Sequence, residues 1–407
     1  MRIILNNKDN LYKWIFRILW FFICIFGAYE NLISGEGGAI NYSTTSYAFS
    51  YLKYGFNSRM FLGTIYQLIG LIFPSIISWK GCYCFMLIIL ALFDLSFLLF
   101  VEYIINKTCL SNRINIYCVS LLTMLIMILS YSYGSNFGKP DTFLFMLSFI
   151  QIYLIVEEKH EFLVPLLSIL QVMTHEGFLC MIANVSICLL AYKALTKKTK
   201  EEKRKYWILF AVNMICICSF AIYFVFFKIS GNAKLYEQAV KDSALLNRVG
   251  SVHYEYVAQR INYLESVPSA GTSYFKNKEI SQTPIFLILF SPVLIFYLFN
   301  LFRTVKNNEH SIGTLVIYAI GIILIIPEFI LFCDYPRYFT WIIFFTFVYV
   351  GILSLNSTLE SKRNVSKATT IMIVLIIIYS LLFIPLESSN YPDIVNKLYN
   401  LITNNKI

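Results

Sequence analysis

The chain has 407 residues, 58% of them hydrophobic and 14% charged, with a mean hydropathy of +0.67. Soluble domains carry about 25% charged residues, so an ordinary soluble enzyme is excluded and an all-α, polytopic integral membrane helix bundle is expected. The net charge of +10 is not a nucleic-acid footprint, because the Lys and Arg residues gather in short loops between apolar runs.

A membrane-spanning helix needs about 20 mainly apolar residues. The first candidate, Leu11–Ala28, has Arg2, Lys8 and Lys13 at its start, which predicts a cytoplasmic N-terminus. It lacks an A-x-A cleavage site and is expected to remain as a helix. Residues 29–59 form a first outer segment, with "SGEGGAI" and the aromatic run "YSTTSYAFSYLKYGF". Further spans are expected at Met60–Ser78, Cys82–Ile105, Ile116–Tyr133 and Thr142–Val156. The stretch Phe162–Tyr192 is long for one span and short for two. Then come Trp207–Phe227, a second outer segment over residues 228–283 with a helix at Leu235–Leu245, and spans at Pro284–Phe302, Ile312–Cys333, Tyr338–Leu355 and Ala368–Ile384. The whole is one membrane domain with 11–12 transmembrane helices, depending on whether Phe162–Tyr192 folds as a hairpin.

One loop anchors the orientation. Lys193, Lys197, Lys198, Lys200, Lys203, Arg204 and Lys205 lie close together and belong in the cytoplasm. Counting onward places residues 228–283 and the "DYPR" turn outside, with Arg303, Lys306, Lys362, Arg363 and Lys367 inside. Counting backward depends on Phe162–Tyr192. One long helix there puts the N-terminus inside. A hairpin moves "GKPD" outside but requires an extra crossing or a re-entrant piece before Ile116.

An ionisable residue at membrane depth costs roughly 2.5–3.5 kcal/mol and is a functional candidate by default. His175 and Glu176, in "QVMTHEGF", are read as a catalytic pair or as a buried structural pair. Lys139 and Asp141, in "FGKPD", are read as a phosphate ligand and a catalytic acid or base; the alternatives are a snorkelling lysine and a helix cap. Asp334 and Arg337, in "CDYPRY", form a local ion pair or a phosphate clamp. Arg59, in "YGFNSR", is a substrate ligand or a border anchor. Asp94 and Glu328 lie within apolar runs. The cysteines are scattered without a CxxC or Cys/His cluster, so neither a metal site nor a disulfide framework is supported, and no cofactor is expected.

Charged residues near span ends, beside two outer segments rich in Tyr and Phe, suit an enzyme working at the outer membrane boundary on a lipid-linked, phosphate-bearing, hydroxyl-rich substrate. In span number and in its large outer loop the chain resembles the bacterial O-antigen and capsular polysaccharide polymerases. Arg260 and Gly271, in "RINYLESVPSAG", match the Arg-x10-Gly spacing found in that family's periplasmic loop. A second Arg-rich loop of the family has no counterpart here. The resemblance implies a multi-pass protein of the bacterial plasma membrane that transfers a growing glycan from undecaprenyl diphosphate to the next lipid-linked repeat unit. Arg260 would then help bind substrate, and the partners would be the undecaprenyl-diphosphate-linked glycan, membrane lipid and other polysaccharide-assembly proteins, with no nucleic acid. Two alternatives are a multi-span glycosyltransferase using a polyprenyl-phosphate sugar and a lipid-linked oligosaccharide flippase.

Overall fold

A computed structural model describes residues 2–34, 38–108, 110–132, 136–175, 177–226, 231–250, 252–262, 278–306, 310–331, 335–355, 375, 378–379 and 393–404. Regular structure among the described residues is entirely helical. In chain order the helices are α1 (Arg2–Ser34), α2 (Gly38–Ala48), α3 (Tyr51–Tyr54), α4 (Phe61–Ile72), α5 (Trp79–Lys107), α6 (Leu110–Ser132), α7 (Asp141–Glu157), α8 (Leu163–Thr174) and α9 (Phe178–Met181). They continue with α10 (Ala183–Thr196), α11 (Lys200–Phe226), α12 (Ala233–Leu246), α13 (Tyr254–Arg260), α14 (Lys278–Lys306), α15 (Ser311–Ile323), α16 (Ile326–Leu331), α17 (Tyr335–Leu355) and α18 (Asp393–Asn404). Among the described residues five stretches are long and apolar enough to cross a membrane, in α1, α5, α11, α14 and α17. They mark a membrane protein.

Two compact units share the chain. Unit 1 comprises Met1–Glu30, Asp94–Tyr133 and Ser273–Ile407; unit 2 comprises Asn31–Phe93 and Gly134–Thr272.

Unit 1 is built around α17, whose apolar window is 89% buried against 11% for α1. Polar side chains tie its helices together, as expected where an unsatisfied group would otherwise face hydrocarbon. Trp341 Nε1 donates to Tyr131 Oη at 3.1 Å, and the Tyr297 and Thr123 hydroxyls lie 2.6 Å apart. Tyr349 Oη donates to the Thr314 carbonyl at 2.9 Å, and Tyr318 meets Thr346 at 2.8 Å, so α15 runs antiparallel to α17. On α1, Arg17 binds Glu102 in a two-pronged pair at 2.5 and 3.0 Å. The single span expected over Ile312–Cys333 is instead divided between α15 and α16. Proline removes an N–H and its ring meets the carbonyl four residues back; for Pro327 that residue is Ile323, where α15 ends.

In unit 2, antiparallel packing of α7 on α8 is written in two glutamines. Gln151 Nε2 donates to the Val164 carbonyl and Ser168 Oγ at 3.1 and 2.8 Å. Gln171 Nε2 donates to the Leu144 carbonyl and Ser148 Oγ, both at 3.0 Å. Lys193, late in α10, reaches back to Glu158 at 2.7 Å. The ends of α7 and α10 and the start of α8 therefore lie together, and the chain reverses between Thr174 and Ala183. Of the two arrangements open for Phe162–Tyr192, the hairpin is the one observed. Its arms of 12 and 14 residues are about 18 and 21 Å long at 1.5 Å per residue, each shorter than the roughly 30 Å hydrocarbon core.

The span expected at Met60–Ser78 is also shorter. Helix α4 has 12 residues, and Tyr66 Oη bonds the Ser78 carbonyl at 3.3 Å as well as the Ile76 carbonyl, folding the following turn back on the helix. Phe61, at the start of α4, packs on Phe143 in the first turn of α7 at 6.0 Å. Trp79, at the start of α5, stacks on Tyr83 at 5.6 Å, and Tyr83 packs on Phe137 at 5.4 Å. Both flanks of α4 thus return to the region where α7 begins. Helix α4 and its flanks therefore form a short, folded-back segment beside the start of α7.

Candidate functional site

The beginning of α7 and the end of α8 define one end of unit 2. The loop Asn136–Pro140 is fixed there by carbonyl contacts. Ser43 Oγ donates to the Phe137 carbonyl at 2.7 Å and Tyr47 Oη to the Gly138 carbonyl at 2.9 Å. Gly138 has φ +77°, and a Cβ there would lie 2.3 Å from Met86 Sδ, so backbone freedom and close approach both require glycine. The turn folds Lys139 inward. Its Nζ donates to Asn136 Oδ1 at 3.0 Å, and its residue surface is only 7% exposed. Pro140 occupies the cap position of α7 without a side-chain cap bond, and Asp141 falls in the first turn. There the helix dipole favours a negative charge. Asp141 is 0% exposed.

His175 terminates α8 in extended conformation, φ −158° and ψ 121°. Its Nδ1 accepts a hydrogen bond from the Gly177 N–H at 3.0 Å. The neutral ring therefore carries its proton on Nε2 and presents a donor there. The helix end leaves carbonyls without intrahelical partners, and Tyr51 Oη donates to one of them, on Met173, at 3.2 Å. Burial pushes the Tyr51 phenol up, which keeps it a donor. The register set by Gln171 brings His175, one turn further, level with the first turn of α7.

The arginines enter through the segment Gly55–Met60. Arg59 adopts φ +58°, a left-handed conformation that bulky residues avoid. Asn57 Nδ2 donates to the Arg260 carbonyl at 2.9 Å, and an Arg260 guanidinium nitrogen donates to Ser58 Oγ at 3.2 Å. The same guanidinium lies 4.7 Å from the centre of the Tyr256 ring. Arg59 and Arg260 thus flank Ser58.

Asp242 holds this segment in place, and sequence reasoning did not single it out. It accepts from Lys53 Nζ at 2.9 Å, Tyr54 Oη at 2.7 Å and Gln238 Nε2 at 2.9 Å. Burial and the Asp242 carboxylate together push the Tyr54 phenol up. Asn247 adds a second tie, from its amide nitrogen to Thr45 Oγ1 at 3.1 Å and from its amide oxygen to the Thr44 hydroxyl. The two outer segments foreseen in the sequence are therefore joined to each other. The available signal was the helix expected at Leu235–Leu245, in which Asp242 falls on one face with the buried Ala239 and Leu246.

Unit 2 brings Arg59, Lys139, Asp141, His175 and Arg260 to one end. Arg337 belongs to unit 1, in the first turn of α17, with its guanidinium 5.3 Å from the centre of the Trp341 ring. Glu176, Asp334 and Gly271 lie outside the described residues. Among the described residues no group of three or more His, Cys, Asp or Glu is placed to hold a metal ion. Compared with known proteins, the chain matches no family model, no curated protein and no solved structure. The residues present offer cations for an anionic ligand, one buried carboxylate and one imidazole donor.

Proposed function

We propose that the chain is a multi-pass enzyme of the bacterial plasma membrane that polymerises lipid-linked oligosaccharide repeat units into surface polysaccharide at the outer face. One observation carries the reading. The candidate residues of unit 2 gather at the end opposite Lys193, Lys197 and Lys205, which reach Glu158, Glu202 and Glu161. The positive-inside bias assigns the lysine end to the cytoplasm and so the candidate site to the outside. The charges near the start of α1 and Lys107 at the end of α5 agree with that sense, as do Arg303 and Lys306 in the last turn of α14.

In this reading Arg59, Arg260 and Lys139 bind the diphosphate of the donor. The acceptor hydroxyl attacks the anomeric carbon of the growing glycan, forming a new C–O bond. The bond from that carbon to the diphosphate oxygen breaks, and undecaprenyl diphosphate departs with the electron pair. Asp141 takes the hydroxyl proton. His175 was a candidate base in the sequence reading. With Nδ1 engaged by Gly177 it acts instead through Nε2–H, donating to a substrate oxygen. Arg337 is a second candidate phosphate ligand, on its own unit.

Deletion of the gene, followed by electrophoresis of the surface glycan, tests the reading. A single repeat unit on the lipid anchor supports it. A uniform truncation would indicate a glycosyltransferase that adds one sugar, and repeat units accumulating inside a flippase. The orientation has its own test. In a cysteine-free background, Gly177→Cys should react with an impermeant maleimide in intact cells and Lys159→Cys should not.

A further inference from the structure

At the lysine end of unit 2 a recess of about 510 Å³ opens between the α7–α8 turn and the first two turns of α11. It lies where a charged surface gives way to an apolar one. Glu201, Arg204, Lys205, Ile208 and Leu209 line it from α11, and Glu161 and Phe162 from the turn. Phe162 is 68% exposed, and beyond the recess Trp207, Val212 and Ile215 also face outward along the candidate span. Headgroup depth and acyl-chain depth therefore meet at this spot.

The charges lining the recess and those beside it divide into paired and open ones. Glu161 accepts from Lys205 at 2.7 Å and from Tyr206 at 3.3 Å. Glu158 is held by Lys193 and Lys197, and Glu202 by Lys197. Glu201 and Arg204 make no such bond among the described residues. They stand three residues apart on α11, which puts them on one helical face. An anion fits Arg204, with Lys200 and Lys203 nearby; a cation with N–H donors fits Glu201.

We propose that this recess seats the headgroup of a phospholipid carrying both a phosphate and a primary ammonium. The phosphate lies against Arg204 and the ammonium donates to Glu201, while the chains follow Phe162 and Ile208. An anionic headgroup lacks the partner for Glu201 and is repelled by it. A trimethylammonium headgroup has no N–H to give. The site is independent of the glycan chemistry proposed for the other end.

The test is native mass spectrometry of the purified full-length protein, offered phosphatidylethanolamine, phosphatidylcholine and phosphatidylglycerol in equal amounts. Phosphatidylethanolamine should be retained over both others. Glu201→Gln should abolish that preference while phospholipid is still retained. Arg204→Gln should lower retention of all phospholipids about fivefold, the factor one surface cation is worth at a membrane. Lys198→Gln, outside the recess, should change nothing, and size-exclusion profiles verify that each variant is folded. The proposal is overturned if phosphatidylglycerol is retained best, if Lys198→Gln matches Arg204→Gln, or if no lipid is retained.

Discussion

The two ends of unit 2 both carry charged groups and handle them differently. At one end Glu158, Glu161 and Glu202 are each met by lysine, the ion pairs spanning a turn or two neighbouring helices, as between Lys197 and Glu158 at 2.6 Å and between Lys205 and the buried Glu161 at 2.7 Å. Such pairs gain little in water, and their sign is explained by membrane orientation alone. At the other end Lys139, Asp141 and His175 are buried, and the backbone around them is bent to reach those positions, with positive φ at Gly138 and Arg59. Buried charge and strained backbone both cost free energy, and strain persists only where surrounding structure over-determines it. The comparison teaches that charge at a helix end is not informative in itself. Positive φ occurs at both ends, at Glu158 and His160 as well as Arg59; the burial of Lys139, Asp141 and His175 together is what marks the candidate site.

The largest expected effect tests that separation directly. Removing a general base lowers a rate by about 10²–10⁴-fold, so Asp141→Asn should leave mainly single repeat units on the surface-glycan gel. Lys205→Gln, at the other end, should leave the chain-length distribution as it is. Equal loss from both variants would remove the distinction between the ends.

Gly138→Ala tests the strained turn. The substitution faces both an unfavourable φ and the overlap with Met86, and strain of this kind is worth about 1–3 kcal/mol. The thermal midpoint in detergent should fall, and adding Met86→Ala should recover the part due to overlap. Full recovery would mean that φ contributes nothing.

Asp242→Asn examines the tie between the outer segments. Hydrogen bonds to a charged group are worth about 1.5–3 kcal/mol each, so amide exchange over residues 51–60 should accelerate. Unchanged exchange there would show that Asn247 and the aromatic contacts suffice without Asp242.

The smallest effect belongs to the lysine end. Lys197→Ala should cost about 0.2–1 kcal/mol, as exposed pairs do, without altering the glycan. Burial alone would raise Glu158 and Glu161. The hydrogen bonds and charges of Lys193, Lys197 and Lys205 outweigh it and hold both carboxyls below the usual range. A lowered folded pKa gives stability that is complete above the unfolded value of about 4.3 and is lost as pH falls through the folded one. Amide exchange in the turn 158–162 should therefore quicken below about pH 4, and the same rise around Gly138 would contradict the contrast.

Hydropathy and charge placement determined much of this protein by themselves, because hydrocarbon excludes unpaired backbone and charge wherever a segment lies. Most of the helices were legible for that reason, as were the lysine loop and the candidate residues Lys139, Asp141 and His175, which stand out against an apolar background. Three matters were decided by tertiary structure. The reversal after His175 depends on Gln151 finding partners on α8 and Gln171 on α7, a pairing with no local signature. The short α4 is as apolar as the candidate spans, and its shortness rests on how Tyr66 and Phe61 are held. Asp242 sits about 190 residues from Lys53 in sequence and touches it in space, a contact that periodicity cannot contain because it records only neighbours along the chain.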